Sequence, residues 1–489
     1  MFSFIIAIAA LLLGYLLYGR FVERVFCPDP SRQTPAVSKA DGVDYVPMPA
    51  WKVYMIQFLN IAGTGPIFGA IMGAKFGPAS YLWIVFGCIF AGAVHDYFTG
   101  MLSIRNDGAG MPELVKRYLG KGTSVVMLVF SMVLLLLVGT VFVYSPALIL
   151  GDLAPISSTA RTSIMIWVGI VFAYYIIATL LPIDKIIGRF YPVFAFALLF
   201  MAAALCVCLF VKWPAIPEVW NGLGNMGEAS GLLKGQPLFP CLFITIACGA
   251  ISGFHATQSP LMARCLKSEK QGRPIFYGAM ITEGIVALVW AAVSSYFFYA
   301  GGAAEVGSNL SAAAPAVVTK VSQGWLGVFG GILAILGVVA APITSGDTAF
   351  RSARLIVADF LKLPQKKHAN RLIIALPLFA VAALLLWYNI ADENGFNTIW
   401  RYFGWANQTL ACFALWTATA WLTKNRPGAY YLVTMLPAAF MTAVCTTYIC
   451  VDKIGFHMPA AWIPYIASAV FALSVCLYYL LSRKLRKEK

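Results

Sequence analysis

Five ionisable side chains sit in stretches that are otherwise apolar: His95, Asp96, His255, Glu283 and Asp347. Inside a membrane span such groups cost about 2.5–3.5 kcal/mol on insertion scales, and they mark pathways or relays by default. His95, Asp96 and His255 suit a proton relay, because imidazole titrates near neutral pH and a carboxylate can hold a buried proton. The same three suit a divalent metal such as zinc if they converge. The plainer alternative is a hydrogen-bonded His–Asp pair that ties helices together. Neighbouring helix positions point roughly 100° apart, so His95 and Asp96 are not expected to face one point squarely. Glu283 reads either as the partner of a substrate amino group or as an interhelical hydrogen-bonder.

Two further stretches carry the chemistry of an anion site. They are Asn60-Ile61-Ala62-Gly63-Thr64-Gly65-Pro66 and Gly249-Ala250-Ile251-Ser252-Gly253-Phe254-His255-Ala256-Thr257-Gln258-Ser259-Pro260. In a helix interior Gly costs about 1 kcal/mol and Pro about 3 kcal/mol against Ala. In hydrocarbon the freed backbone groups must find partners in protein, water or ligand. Broken helices satisfy that demand, and the N-terminus of a half-helix attracts a carboxylate. The expected cradle is Ala62, Gly63, Thr64 and Gly65 facing Ser252, Gly253, Phe254 and His255, with Gln258 beside it. Phe68 and Phe254 are the expected gates. The alternative is close Gly-mediated packing with a Pro kink. Asn407 and Gln408 either line the pathway or tie helices, the tie being favoured.

These residues need apolar helices to position them, and the composition supplies them. Hydrophobic residues make up 60% of the 489 and charged residues 11%, against about 25% charged in a typical soluble domain. The mean hydropathy is +0.80. This is an all-α polytopic membrane protein with the bilayer as its first partner. No run of alternating ten-residue strands suggests a barrel. The cysteines, Cys248 among them, lack metal spacing and read as small buried hydrophobes. No HExxH, nucleophile elbow or Walker A motif is present, which argues against an enzyme or an ATP-driven pump.

Thirteen spans are expected, near 3–19, 53–74, 79–104, 123–150, 163–182, 190–211, 238–262, 273–300, 325–346, 371–389, 403–423, 429–451 and 461–482. With the N-terminus outside and the C-terminus inside, only Lys75, Arg161, Lys212, Lys234, Lys320, Arg401 and Lys453 face outward. The other 28 of the 35 Lys and Arg residues face the cytoplasm. This is the positive-inside pattern, and it makes the net charge of +15 topological rather than a sign of nucleic-acid binding. The Pro- and Gly-rich stretch 213–237 is expected as an external loop over the outer vestibule, and 108–121 as a cytoplasmic interfacial helix.

The two broken spans are then five helices apart and enter from opposite sides. That is the arrangement of a leucine-transporter-like fold, with two inverted five-helix repeats and broken first helices meeting at the midplane. Repeat one covers 53–211 and repeat two 238–423. The segment 1–52 adds a helix and a cytoplasmic loop, and 424–489 adds two helices and a basic tail, all in one transmembrane domain. In such a fold Thr344, Ser345 and Asp347, with the backbone carbonyl of Ala62, offer a sodium or protonation site. The alternative is an Asp347–Arg351 pair at the membrane edge, one turn apart.

Several motifs stand together: Ala62-Gly63-Thr64-Gly65-Pro66, Ala91-Gly92-Ala93-Val94-His95-Asp96-Tyr97, Arg105-Asn106-Asp107-Gly108, Thr344 through Arg354, and Phe403-Gly404-Trp405-Ala406-Asn407-Gln408. In these the chain resembles the carbon starvation protein A family, from the first helix to about residue 423. The resemblance implies a bacterial inner-membrane transporter distantly similar to the amino acid–polyamine–organocation superfamily. It also implies uptake of peptides, or alternatively of pyruvate or a similar small carboxylate. Coupling would be to a proton or sodium gradient with no required cofactor, and a sensor or channel is the reading from another class. His95 departs from the family pattern, where a Gln or similar residue is expected before Asp96.

Overall fold

Each of the thirteen expected segments falls on helix in the computed structural model, which describes residues 1–42, 44–180, 183–365, 368–392 and 395–487. Among the described residues no strand forms. Lys366, Lys367 and Lys489, counted with the cytoplasmic cations, and Leu181 and Pro182, at the end of the fifth expected span, lie outside the described residues.

The elements in order are α1 (Phe2–Leu16), α2 (Tyr18–Phe26), α3 (Ala50–Ile61), α4 (Gly65–Ala74), α5 (Ala79–Gly87), α6 (Ala93–Arg105), α7 (Lys121–Leu153), α8 (Ala160–Leu180) and α9 (Ile183–Lys212). There follow α10 (Leu238–Thr245), α11 (His255–Ala263), α12 (Gly278–Tyr299), α13 (Ala314–Leu333), α14 (Ala340–Leu361), α15 (His368–Ala391), α16 (Gly395–Asn425), α17 (Leu432–Val451) and α18 (Ile463–Lys487). A short helix, Met111–Leu119, occupies the expected interfacial segment.

Among the described residues ten helices are long and apolar enough to cross a membrane, and the bent pair α3–α4 makes an eleventh. The shortfall from thirteen has two local causes. The halves of the second break, α10 and α11, are only eight and nine residues long. α16 is long enough, but Asn407, Gln408 and a run of Thr lower its hydropathy.

Burial sorts the helices into centre and rim. The apolar windows spanning α5–α6 and ending in α12 are each 83% buried within the chain, whereas that of α18 is 0% buried. An apolar helix that packs on its neighbours along one side and leaves the rest of its surface bare belongs against lipid. At the centre α4 packs along α12, α11 along α6, α3 along α9, and α7 along α14. A second apolar cluster, with Val143, Tyr175, Phe350 and Phe379, fills the space between α7, α8, α14 and α15.

Candidate functional site

The two breaks touch. α3 ends at Ile61, and Ala62 leaves the helix at φ −83°, ψ 53°. α4 restarts at Gly65-Pro66 after a 47° bend, with Pro66 in the first turn, where its missing N–H has no helical partner to lose. In the second break Gly249 adopts φ +91°, a region that L side chains avoid. A Cβ on Gly249 would lie 2.6 Å from the Ala287 methyl, with Pro66 Cα 3.7 Å away. A Cβ on Gly65 would meet Cys248 Sγ at 2.4 Å. The glycines thus serve both readings at once: they break the helices and let the breaks pack on each other.

The second break is capped from α16. Asn407 Oδ1 accepts from the Phe254 N–H at 2.7 Å and from Ser252 Oγ at 3.1 Å. The Gly253 N–H donates to the Asn407 carbonyl at 3.2 Å. The expected anion cradle across Ser252, Gly253, Phe254 and His255 is therefore corrected, because two of its N–H donors are already engaged by Asn407. Asn407 is a tie, and so is Gln408, whose Nε2 donates to the Phe243 carbonyl at 2.9 Å.

The first break presents the opposite case. Both side-chain polar atoms of Asn60 and the hydroxyl of Thr64 are buried with no protein partner. An unpaired amide or hydroxyl in an apolar setting costs about 2–7 kcal/mol, a cost that a water or a bound ligand at these atoms would offset. Gln258 Nε2 is held by Thr257 Oγ1 at 2.9 Å, while its Oε1 has no protein partner. Asn60 was passed over as a candidate at the sequence level. Its signal was a carboxamide in an apolar span one turn before the break.

The ionisable residues form a buried chain. Asp96 bridges both imidazoles, with Oδ1 2.8 Å from His95 Nδ1 and Oδ2 2.9 Å from His255 Nδ1. On the far side, His255 Nε2 lies 3.5 Å from Glu283 Oε2. All four side chains are 0% exposed. His95 and Asp96 do not share one centre: they bond each other side by side, and it is Asp96 that reaches His255. A π-helical turn, Cys88–Gly92, immediately precedes α6, and such turns shift a helix face and gather at functional sites. Similar turns stand ahead of Glu283 (Arg273–Tyr277) and of Thr344 (Ala334–Val339).

The metal-compatible geometry is not that of His95, Asp96 and His255. Asp96 sits between the two rings rather than sharing one centre with them. Among the described residues, Cys248, His255 and Glu283 bring one atom each within 4.8 Å of one another. Cys248 is thus more than the buried hydrophobe read from the sequence, and its thiol also lies 3.4 Å from Ser252 Oγ.

Ser345 Oγ donates at 3.0 Å to the carbonyl of Leu59, not of Ala62. The Thr344 hydroxyl is turned back onto Ala341 O at 2.7 Å. Asp347 accepts from the Tyr191 hydroxyl at 3.2 Å and lies 3.9 Å from Arg351 Nη2. That pair is buried rather than at an edge, with Asp347 0% and Arg351 3% exposed. Of the expected gates, Phe254 meets Phe142 edge-on at 6.1 Å, and Phe68 lies 6.0 Å from Trp400.

The model of the family described as carbon starvation protein CstA matches residues 1–171, 147–323 and 294–448. An uncharacterised membrane protein of Haemophilus influenzae is 48% identical over 61% of this chain and 91% of its own length. The peptide transporter CstA of Campylobacter jejuni is 27% identical over 96% of this chain and 82% of its own. The pyruvate/proton symporter BtsT of Escherichia coli is 25% identical over 90% and 80%. Among solved structures, the Eremococcus coleocola manganese transporter superposes with a TM-score of 0.56 at 12% identity, over 92% of this chain and 99% of that one. A sodium-coupled sialic acid symporter does so with a TM-score of 0.53 at 12% identity, over 96% of each. These two share the fold alone. A multi-pass helical membrane protein with transporter relatives and transporter neighbours, this chain belongs to the carbon starvation protein CstA family.

Proposed function

We propose that this protein is a secondary active transporter that carries short peptides across the bacterial inner membrane by alternating access, driven by protons. The arrangement is a leucine-transporter-like pair of inverted five-helix repeats, with the N-terminus outside, α3–α4 opening the first repeat and α10–α11 the second. Substrate binds at the breaks, where Asn60, Thr64 and Gln258 hold unpaired polar atoms among Ala62, Gly63, Gly65 and Phe68.

The observation that carries the coupling is the buried chain His95–Asp96–His255–Glu283, joined at 2.8, 2.9 and 3.5 Å. Its inner end brings His255 Nε2 and the Glu283 carboxylate together beside the Cys248 thiol. A proton can pass between such groups, and its position sets the charge beside the second break. Sodium is the weaker reading, because the Thr344 and Ser345 hydroxyls already donate to carbonyls.

Pyruvate is the second reading of the cargo, supported by the proton symporter among the relatives. Both cargoes carry a carboxylate. Uptake of labelled dipeptide and of pyruvate into proteoliposomes, under imposed pH or sodium gradients, tests both substrate and ion. A dipeptide driven by pH alone is the expected result, pyruvate alone would exchange the cargo, and movement of neither under any gradient would end the reading.

A further inference from the structure

Above the first break lies a cavity of about 570 Å³ between the end of α4, the 213–237 loop, α10, α16 and the end of α17. Leu233 and Gln236 roof it, and Lys75, Arg401 and Lys453 line it. Three of the seven Lys and Arg assigned to the outer face therefore gather at one mouth. Among the described residues no Asp or Glu lines the cavity. Arg401 pairs with Asp452 just outside it, at 2.9 and 3.1 Å. Among the described residues, neither Lys75 nor Lys453 has a carboxylate partner. Burial pushes the Lys75 ammonium below its ordinary pKa, a cost that a bound anion offsets.

The cavity leads inward. Ile244, Thr245, Trp400 and Gly404 form its floor, and the same four residues bound a small void that reaches Gly65 and Cys248 at the touching breaks. Trp400 borders both spaces, and the rings of Phe403 and Phe68 lie 5.3 and 6.0 Å from its own.

We propose that this outer cavity is a second carboxylate site, an antechamber in which Lys75 and Lys453 capture the anionic end of the substrate before Trp400 admits it to the breaks. The proposal deepens the transport reading and rests on its carboxylate substrate and its orientation. The volume falls within the ordinary range of about 300–1,000 Å³ for small-molecule sites. The Lys75 ammonium lies 5.0 Å over the Phe298 ring, and two cations without a carboxylate partner beside low-dielectric aromatic walls concentrate anions and raise the rate of capture.

Two measurements keep this proposal separate from the transport reading. The first is amine labelling of the purified protein with an impermeant succinimidyl ester, read by mass spectrometry, with and without pyruvate or alanyl-alanine. Protection of Lys75 and Lys453 but not of exposed Lys320 is expected. The second is uptake by a Lys75→Gln/Lys453→Gln double variant, whose KM should rise about tenfold, equivalent to 1.4 kcal/mol, with kcat unchanged. Lys453→Arg should keep wild-type KM. Uptake by the wild type with neither protection nor a KM change overturns the antechamber and leaves the transport reading standing. Protection without uptake supports the antechamber and sinks the transport reading.

Discussion

Asp96 Oδ2 and His255 Nδ1 are 2.9 Å apart across the contact between α6 and the second break. One carboxylate thereby joins α6 to the half-helix α11. The second oxygen of Asp96 is engaged by His95, so changing this one residue alters both imidazoles.

Asp96→Asn keeps the shape and removes the charge. Gradient-driven uptake is expected to fall about 100-fold, the scale on which a positioned proton-transfer group contributes. Exchange of labelled for unlabelled substrate across the same vesicles needs no net proton movement and should continue. Gradient-driven uptake at the wild-type rate and with the wild-type pH dependence would remove Asp96 from coupling.

Asn407→Ala leaves Ser252 Oγ and the Phe254 N–H unpaired in a buried site. A loss of about 1–3 kcal/mol of stability is expected, visible as a lower thermal midpoint of the purified protein. Asn407→Asp retains an acceptor and should recover most of it. An alanine variant that melts with the wild type would show that the cap is not needed.

Gly249→Ala combines a positive φ with a 2.6 Å approach to Ala287. The backbone strain costs about 1–2 kcal/mol and the overpacking about 1–3 kcal/mol. Gly169→Ala, in the middle of α8 with nothing within 4 Å of the added methyl, is the control and should be neutral or stabilising. The comparison is made on yield and thermal midpoint after size exclusion.

Trp400→Ala removes the floor of the outer cavity. Cys248, buried in the wild type, should then react with an impermeant maleimide added from outside, with mass spectrometry reporting that one peptide. Equal labelling in both proteins would place the outer barrier elsewhere.

Replacing sodium by choline should leave uptake unchanged. Ser345→Ala loses its bond to the Leu59 carbonyl, worth about 0.5–1.5 kcal/mol, and should lower stability without creating a sodium requirement. Uptake that stops in choline would move the coupling to Ser345 and Asp347.

Much of this arrangement was legible in the residues alone. Gly63, Gly65 and Pro66 announce a break because their backbone preferences oppose a helix in any context, and a charge such as Asp96 or Glu283 stands out against an apolar span. Pairings were harder to read. That Asp96 and not His95 reaches His255 depends on how α6 is turned, and nothing in Cys88–Gly92 marks by composition the π turn ahead of it. Asn407 lies 153 residues from the N–H that it caps, so the filling of the second cradle depends on how α16 is placed. The substitution of Leu59 for Ala62 as the partner of Ser345 is one helical turn, a difference set by where α3 stops.

The contact of Gly65 with Cys248 and of Gly249 with Pro66 bears on how energy reaches the cargo. The two broken helices meet with no room for a side chain between them, so in the proposed cycle they would travel as one part. His255, in the buried His–Asp–His–Glu chain, begins one half-helix of that part, and Thr64 caps another. Fuel and freight would then press on the same lever, with no long-range signal through the rest of the fold to connect them.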